Sequence, residues 1–600
     1  MDLNSEQQRA VEAVTGPVCI LAGAGSGKTT TITHRIARQV SSGAFRADQL
    51  LAVTFTDKAG GELRERLERL GAARVRAGTF HSAALRQLRH FAPGRVGRIL
   101  PSKVPLLRQI GNRLPGAFRF RPAADLASEI EWARNRRVTP ERYLAEAGDR
   151  QPPIPPDLMQ RVYRDYERAK RAEGLIDFED LLELAIATFE EDDAARDTFQ
   201  AQYRAFTVDE YQDVNLLQRT LLDLWLGDRD DLCVVGDDYQ SIYAFTGAGP
   251  EHLLGMPERF PHAVVVRLEE NYRSTPQVLA LANTLVPQLG GAEKVLRAAR
   301  PDGPEPVVRP FATPEEEDAA IVGAIRALDC ALEDVAVLAR TNARLADFEE
   351  VLHEAGLPFQ GASLLEREAA RRLCRRLEGS REAAAEAVRS AALDAGWLEE
   401  VPDALGEREL VRQADLARMV ALASSFDGNA AAFVADLRDR FSPGGNAARG
   451  VHLLTLHRAK GLEFEAVFLP RVQEKELPIR QARTEAEIAE ERRLLYVGLT
   501  RAKRHLWVSW SGKASRFLGK KPSPAAKAEW SPDGQKLREW RLERAKRDAV
   551  PPYVVFHDSV LHAIAHARPA TLGDLAQIAG IGPAKLERYG PEVLAALERG

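Results

Sequence analysis

Short apolar runs that alternate with helical patterns predict an α/β fold with parallel sheets. Val18–Leu21 and Leu51–Phe55 are two such runs, and each is followed by a polar turn and a helical pattern. This order is typical of βαβ units. Further apolar runs occur at 205–208, 232–235, 264–266, 335–338, 453–456 and 467–469. So many buried strands predict two α/β sheets rather than one.

Two helical segments interrupt the α/β pattern, one Arg-rich and the other Ala-rich. We interpret both as insertions into the α/β lobes. A basic, Pro-containing linker and a helical module close the chain. The predicted domains are a first lobe (1–83 and 180–263), its helical basic insertion (84–179), a second lobe (264–370 and 451–511), its short helical insertion (371–450), the linker (512–533) and the module (534–600).

The overall charge does not by itself indicate a nucleic-acid partner. The 83 basic and 87 acidic residues give a formal charge of −4, so such a partner would be held by local patches. Four widely spaced cysteines without a Cys-x-x-Cys pair predict neither a zinc site nor disulfides. They fit a reducing, cytoplasmic location. With no signal peptide and no run of about 18 apolar residues, we expect no membrane contact.

A phosphate-binding loop follows the first strand directly. Residues 22–29 read Ala-Gly-Ala-Gly-Ser-Gly-Lys-Thr and are followed by a helical pattern. The alternative is a glycine-rich turn with an incidental Lys-Thr pair, but the strand before the loop and the helix after it favour a phosphate-binding loop. Backbone N–H groups and the helix N-terminus favour a triphosphate, Lys28 reaches its β/γ-phosphates and Thr29 ligates Mg²⁺. We therefore expect ATP and Mg²⁺. The predicted contacts are Ala22, Gly23, Ala24, Gly25, Ser26, Gly27, Lys28, Thr29, Thr30 and Arg35.

Acidic residues at the end of a second strand complete the predicted catalytic site. Asp209 follows the run 205–208 and can hold Mg²⁺, while Glu210 can polarise the attacking water. A solvated acidic strand end is the alternative. Gln240, beyond the run 232–235, could sense the γ-phosphate, or it could be an ordinary polar turn residue.

Two of these segments resemble the UvrD/Rep/PcrA family of superfamily 1 DNA helicases. They are Val208–Asp213 (VDEYQD) and Gly236–Tyr243 (GDDYQSIY). Further blocks agree in the order of the family: Leu3–Gln7, Glu270–Ser274, Thr455–Phe464 and Glu490–Ala502. The resemblance implies a fold of two RecA-like P-loop lobes. It also implies that the protein uses ATP to move along single-stranded DNA in the 3′-to-5′ direction and separates the duplex ahead. The implied biological role is DNA repair or replication.

The resemblance also implies roles for residues around the nucleotide. Gln7 would read the adenine edge, Tyr272 would stack on the base, and Glu463 would lie near the ribose. Arg273 and Arg501 would touch the γ-phosphate. Because both arginines belong to the predicted second lobe, they can stabilise developing charge only when the lobes close.

A track for single-stranded DNA is expected across the lobe junction, reaching ss/ds DNA junctions. Aromatic and hydroxyl side chains at strand ends can stack bases and bind phosphates, although core packing is the alternative for each aromatic. The usual Trp-Arg pair of the family is Phe245-Thr246 here, so stacking is kept and one cationic contact is lost. The predicted contacts are Phe55, Thr56, Thr79, Phe80, His81, Tyr243, Phe245, Thr455 and His457.

A local basic patch is predicted in the first insertion. Residues 95–121 carry seven basic side chains and no acid, which favours a phosphate-binding surface over a merely solvated basic face. Trp132, with Arg134, Arg136 and Arg137, extends the trend. The seven are Arg95, Arg98, Lys103, Arg108, Arg113, Arg119 and Arg121.

The carboxy-terminal module resembles an HRDC domain, a small helical bundle appended to some DNA helicases. The segment before it, residues 513–547, has eleven Lys/Arg and four Asp/Glu. The Gly580-Ile581-Gly582 turn could present N–H groups to a DNA phosphate or be a tight turn without a ligand. Whether the module binds DNA or repair and replication proteins stays open.

Three other functions remain possible. The short second insertion suggests a translocase that displaces proteins with little duplex unwinding. A helicase–nuclease subunit would need a further carboxylate-lysine domain, which the last 90 or so residues do not resemble. A DNA-tethering module with a vestigial nucleotide site conflicts with the presence of Lys28, Asp209, Glu210, Arg273 and Arg501.

Overall fold

The computed structural model describes residues 3–118, 123–148, 150–361, 364–399, 407–441, 450–518, 531–547, 555–556, 558–578, 581 and 583–598. The chain divides into two compact units, Met1–Phe517 and Leu518–Gly600. Arg119 and Arg121 of the predicted basic patch, most of the linker, and Gly580 and Gly582 of the predicted turn lie outside the described residues.

The strands, numbered in chain order, are β1 (Val18–Ala22), β2 (Leu50–Thr54), β3 (Arg76–Thr79), β4 (Arg98–Ile99), β5 (Leu175–Ile176), β6 (Ala205–Val208), β7 (Leu232–Gly236), β8 (Val264–Leu268), β9 (Glu270–Asn271), β10 (Arg297–Ala298), β11 (Val307–Pro310), β12 (Val335–Ala339), β13 (Phe359–Gln360), β14 (Val451–Thr455), β15 (Phe464–Leu469) and β16 (Ala502–Trp510).

The helices of the first unit are Ser5–Glu12, Lys28–Ser41, Asp57–Arg69, Phe80–Phe91, Val104–Gly111, Ala123–Asn135, Tyr143–Glu146, Pro156–Ala172, Phe178–Glu191, Asp193–Gln202, Leu216–Leu226, Glu251–Leu254, Met256–Arg259, Pro276–Asn283, Pro314–Arg326, Asn342–Glu354, Glu368–Leu377, Ala384–Asp394, Glu407–Ser424, Ala430–Phe441 and Glu485–Leu499. Those of the second unit are Pro532–Arg547, Asp558–Ala567, Leu572–Ala576 and Pro583–Glu598.

The first sheet has six parallel strands in the order β3-β2-β6-β7-β1-β8. Its apolar faces are covered on both sides, by separate clusters around Trp225 and Ile32, as all-parallel sheets require. The edge strand β8 corrects our boundary at residue 264. It pairs with β1, Val18 opposite Val264, so it covers the open edge of β1 and belongs to the first sheet.

The first insertion is shorter than predicted. Helix Phe80–Phe91 begins where β3 ends and buries Ala84 and Leu88 in the core of the first lobe, so the predicted start at residue 84 is wrong. The short strands β4 and β5 pair in parallel where the chain leaves and re-enters the lobe. Between them, helices pack around their own core, which includes Leu107 and Tyr163.

The second sheet is also parallel, in the order β11-β16-β15-β12-β14-β13. Four helices inserted between β13 and β14 share a separate core that contains Leu373, Met419 and Phe433. The predicted fold class, two α/β lobes each with a helical insertion, is therefore confirmed.

The second unit is a bundle of short helices. Leu561, Leu575 and Val593 are fully buried at its centre, with Tyr589 and Phe556 packed against them. Across the described ranges of the whole chain, no helix combines the length and the apolar character needed to cross a bilayer.

Because both sheets and their cores lie within Met1–Phe517, a chain that ends at Phe517 should fold by itself. We expect its main unfolding transition to stay within about 4 °C of that of the full chain, the shift that roughly 1 kcal/mol would produce. Differential scanning calorimetry of the two proteins measures this. A truncated chain without a cooperative transition would contradict the division into units.

Candidate functional site

The loop after β1 has the backbone geometry of a phosphate cradle. Gly25 and Gly27 have left-handed φ angles of 65° and 79°, and helix Lys28–Ser41 begins directly after Gly27. A Cβ at Gly25 would lie 2.7 Å from Cβ of Arg273. Glycine therefore serves two purposes there: it turns N–H groups toward a bound anion and lets the Arg273 segment approach closely.

Lys28 and Glu210 face each other in this pocket. Lys28 Nζ lies 2.9 Å from Glu210 Oε1, and Gln212 Nε2 donates to Glu210 Oε2 at 2.5 Å. Glu210 has a left-handed φ of 53°, an uncommon conformation for a non-glycine residue that often marks a functional site. Burial favours the neutral acid, but the charges of Lys28 and Lys460 outweigh burial and lower the pKa of Glu210.

Asp209 ends β6 beside Glu210. Its backbone N–H donates to Val53 O at 2.8 Å, and its Oδ1 accepts from Glu210 N at 2.9 Å. Burial, together with the charge of Glu210, raises the pKa of Asp209. Such a carboxylate gains from a nearby cation.

The donor set at this position fits Mg²⁺. Thr29 supplies a hydroxyl at the start of the helix and Asp209 a carboxylate, both of them hard oxygen ligands. In the residues that the structure describes, no group of three or more His, Cys, Asp or Glu could hold a metal alone. Mg²⁺ commonly takes one or two protein oxygens and completes its shell with phosphates and water.

Arg501 is a buried cation among neutral acceptors. Its guanidinium donates to Val497 O at 2.9 Å, to Leu462 O at 3.1 Å and to Gln240 Oε1 at 3.0 Å, and the residue is 1% exposed. In the described part of the chain, no carboxylate lies within ion-pair distance. Burial, and then the charge of Arg273, lower the pKa of Arg501 to about 9. Arg501 therefore has no carboxylate in direct contact among the described residues, although the charges of Glu210 and Asp237 act on it from a greater distance.

The Asn271–Arg273 segment is docked on the phosphate loop. Tyr272 N donates to Gly25 O at 3.0 Å, and Asn271 Nδ2 donates to Ala24 O at 2.6 Å. Arg273 Nε binds Glu463 Oε2 at 2.7 Å. Glu463, which was expected near the ribose, thus holds an arginine in this state. The sequence analysis missed Asn271, although it lies in a block that we had singled out.

Gln7 and Tyr272, the two residues predicted to contact adenine, both hydrogen-bond to the phosphate loop. Gln7 Nε2 donates to Ser26 O at 3.0 Å, and Asn4 Nδ2 donates to Tyr272 OH at 2.9 Å. The hydrogen bond between Asn4 and Tyr272 links the amino-terminal segment to the tyrosine that is predicted to stack on the base.

Arg35 has a different role from the predicted one. It is buried and donates from Nε to Ala13 O at 2.9 Å. This bond holds the end of helix Ser5–Glu12, which carries Gln7. The structure shows a supporting contact for Arg35 rather than a contact within the loop.

An aromatic row crosses from the first lobe to the second. Phe55 stacks on Tyr243 with ring centroids 5.9 Å apart, Tyr243 meets Phe245 at 6.0 Å, and Phe245 meets His457 at 6.1 Å. Phe55 and Phe245 are 40% and 44% exposed, so both rings are accessible to a ligand. The structure therefore brings together four of the residues that were predicted to bind DNA.

Three predicted threonines lie at chain turns around this row. Thr56 and Thr79 accept hydrogen bonds from Ala59 N and Ser82 N and cap the helices that follow β2 and β3. Thr455 ends β14 and accepts from Arg458 N at 3.4 Å. The two caps mark helix N-termini, where a backbone phosphate is favoured.

Phe80 does not belong to the DNA track. It is 3% exposed and stacks on the buried Trp225, with centroids 5.9 Å apart, so the prediction that it contacts DNA is wrong. The exposed aromatic nearby is Phe178, which meets the edge of His81 at 5.7 Å. The sequence analysis missed Phe178, because an aromatic residue at the start of an apolar helix resembles a core residue.

Ion pairs account for much of the predicted basic patch. Lys103 is buried, and its Nζ lies 2.6 Å from Glu179 Oε2. Arg95 pairs with Glu191, and Arg108 Nη2 lies 3.2 Å from Glu368 Oε1. Arg134 and Arg137 likewise pair with Asp180 and Glu183. These acids lie far away in the sequence, which is why residues 95–121 looked purely basic. The described residues therefore do not form one free cationic surface.

The fold and the site define a two-lobed P-loop nucleoside triphosphatase with a partly exposed aromatic row across the lobe junction. Residues 3–261 match the UvrD/REP helicase N-terminal domain, residues 266–374 and 429–513 match the UvrD-like helicase C-terminal domain, and residues 535–597 match the HRDC domain. The chain belongs to the UvrD/Rep helicase family and carries an HRDC domain.

Named relatives cover almost the whole chain. ATP-dependent DNA helicase UvrD2 of Mycobacterium tuberculosis (strain ATCC 25618 / H37Rv) is 38% identical over 99% of this chain and 97% of its own length. UvrD1 of the same strain is 30% identical over 91% and 86%. PcrA of Bacillus subtilis (strain 168) is 30% identical over 84% and 82%.

We predict that His81 makes folding sensitive to mild acid. Burial, and then the charge of Lys103, lower the pKa of His81 to about 4, whereas an unfolded histidine titrates near 6.5. Between these values the unfolded chain binds a proton that the folded chain does not. The free energy of unfolding should therefore fall as the pH drops from about 6.5 toward 4.

Urea unfolding of the wild type and of His81→Gln at pH 7.5 and pH 5 tests this expectation. The variant should lose less stability on acidification. His353→Gln, at an exposed histidine, controls for the removal of an imidazole. An equal acid-induced loss in the wild type and His81→Gln would contradict the prediction.

Proposed function

We propose that this DNA helicase uses ATP to move along single-stranded DNA in the 3′-to-5′ direction and separates the duplex ahead of it. The polarity rests on similarity to the family and not on geometry. We further propose a cytoplasmic role in DNA repair or replication, in which the HRDC domain engages DNA or a partner protein.

The single observation that carries the proposal is the buried charge of Arg501. An unpaired guanidinium in a low-dielectric site costs several kcal/mol unless an anion compensates for it. Gln240, predicted to sense the γ-phosphate, accepts a hydrogen bond from the same guanidinium. A triphosphate in the loop would bring the missing negative charge to both side chains.

The contacts of Lys28 suggest how the site is activated. Lys28 forms an ion pair with Glu210 at 2.9 Å. When Lys28 turns to the phosphates, Glu210 is released to orient a water molecule, while Gln212 Nε2 still donates a hydrogen bond to its carboxylate. Mg²⁺, held by Thr29 and Asp209, would supply charge neutralisation to the phosphates.

Arg273 and Arg501 add the electrostatic stabilisation. Arg273 is held by Glu463 and by Thr500 O, at 2.7 Å and 3.2 Å, both in the second lobe. Arg501 precedes β16 of the second sheet. Charge on the γ-phosphate therefore pulls groups of the second lobe toward the loop of the first, as arginine fingers do.

The aromatic row supports conversion of this closure into movement. Phe55, Tyr243 and Phe245 belong to the first lobe, and His457 follows β14 of the second. Relative motion of the lobes changes the spacing between stacking surfaces. A strand gripped alternately on the two sides would advance with each cycle of hydrolysis.

We predict that Arg501→Ala lowers the DNA-stimulated kcat by about 10³-fold, the range of an arginine finger, and weakens ATP affinity by a much smaller factor. Single-turnover hydrolysis and equilibrium binding of a fluorescent ATP analogue measure the two effects. Arg492→Ala is the control, because Arg492 lies in helix Glu485–Leu499 and binds Gln288 O instead. A parallel loss of ATP affinity and turnover would assign Arg501 to ground-state binding.

A strand-displacement experiment separates unwinding from translocation alone. We expect ATP-dependent separation of a 3′-tailed duplex and little separation of a 5′-tailed one. Lys28→Ala should abolish both turnover and unwinding, yet bind single strands nearly normally. Release of streptavidin from a biotinylated single strand without duplex separation would instead support the protein-displacing translocase.

A further inference from the structure

Lys460 of the second lobe forms contacts with the first lobe at the lobe junction. It follows β14 of the second lobe, and its Nζ lies 2.5 Å from Asp213 Oδ2 and 2.7 Å from Gln240 O, both in the first lobe. The lysine side chain is 9% exposed and that of Asp213 is 1% exposed. A buried ion pair of this kind exists in discrete arrangements, made or broken, because an intermediate leaves charges unpaired.

One set of contacts connects Lys460 to the proposed hydrolysis site. Asp213 lies three residues after Glu210, and Gln212 Nε2 contacts both carboxylates, Glu210 Oε2 at 2.5 Å and Asp213 Oδ2 at 3.4 Å. Gln240, whose carbonyl accepts from Lys460, accepts from Arg501 through its side chain. A shift of Lys460 therefore changes the support of both groups.

A second set of contacts connects Lys460 to the aromatic row. Nζ of Lys460 lies 4.9 Å from the centroid of the Tyr243 ring, within cation–π range. His457, three residues earlier on the same segment, meets Phe245. A base that stacks in the row cannot displace Tyr243, Phe245 or His457 without moving the surroundings of Lys460.

The pair is also incompletely satisfied. Asp213 Oδ1 is buried and has no hydrogen-bond partner in the described part of the chain. A buried carboxylate oxygen without a partner costs free energy, so another arrangement of Asp213 and Lys460 is accessible at a moderate cost.

We propose that Lys460 is the positioning residue through which a bound single strand accelerates ATP hydrolysis, with Asp213 as its anchor. The inference deepens the proposed function and rests on it. Strand binding repositions the 455–460 segment, and Lys460 transmits the change to Gln212–Glu210 and Gln240–Arg501. Lys460 acts through these residues, so its loss should remove DNA stimulation and leave slow, DNA-independent turnover.

The test compares ATP turnover of the full chain with and without an oligo-dT strand, for Lys460→Met, Lys460→Arg, Asp213→Asn and the double variant Lys460→Met/Asp213→Asn. For Lys460→Met we expect basal kcat and oligo-dT affinity within about threefold of the wild type, and a stimulation factor at least about tenfold lower. Lys460→Arg should recover most of the stimulation.

The double variant keeps the test decisive even where Lys460→Met, which leaves Asp213 unpaired, fails to fold. Its loss of stimulation should be no greater than that of Asp213→Asn alone, because two residues of one contact are not additive. Arg367→Met is the matched control, since it breaks an ion pair of similar burial with Asp415 in the second insertion and should leave the stimulation factor unchanged.

Three results would overturn the inference. An equal fall of basal and stimulated turnover in Lys460→Met would show a purely structural or catalytic role. A large loss of oligo-dT affinity would make Lys460 a DNA contact, and an additive double variant would remove the pair from the coupling. A wild type without any DNA stimulation would refute the proposed function itself, and the inference with it.

Discussion

The nucleotide site depends on a buried positive charge that no described carboxylate contacts directly. Lys28 has Glu210 and Arg273 has Glu463, but Arg501 binds only neutral acceptors among the described residues. Holding such a cation away from water costs several kcal/mol. A ligand that brings negative charge recovers this free energy only when the groups of both lobes reach it. The same imbalance therefore favours ATP binding and lobe closure together.

The sequence predicts which side chains the structure brings together wherever a residue lies within a few positions of the end of a buried strand. Lys28, Asp209 and Gln240 come after β1, β6 and β7, and Phe55 comes after β2. Since the carboxyl ends of parallel strands share one edge of the sheet, chemistry and strand order alone bring these side chains together. Tyr272 and Arg273, placed near the nucleotide by the resemblance to the helicase family, lie against the phosphate loop.

Prediction fails where a residue's environment is set by distant parts of the chain. Phe80 looks like a base-stacking residue until Trp225 covers it, and Lys103 looks free until Glu179 pairs with it. Strand β8 could be placed in either lobe, because an apolar run does not reveal which sheet it joins. Burial and ion pairing depend on tertiary contacts, and these are absent from local composition.

Chain connectivity also constrains how the two sites can behave. Gln240 and Tyr243 are three residues apart, so their Cα atoms are separated by at most about 11 Å. One side chain faces Arg501 and the other lies within the aromatic row. Asp238 and Tyr239, just before them, are anchored by Lys294, which limits how far this segment can deform. We therefore expect a displacement of Gln240 to reach the aromatic row, and the reverse to hold as well, because linkage between two sites is reciprocal.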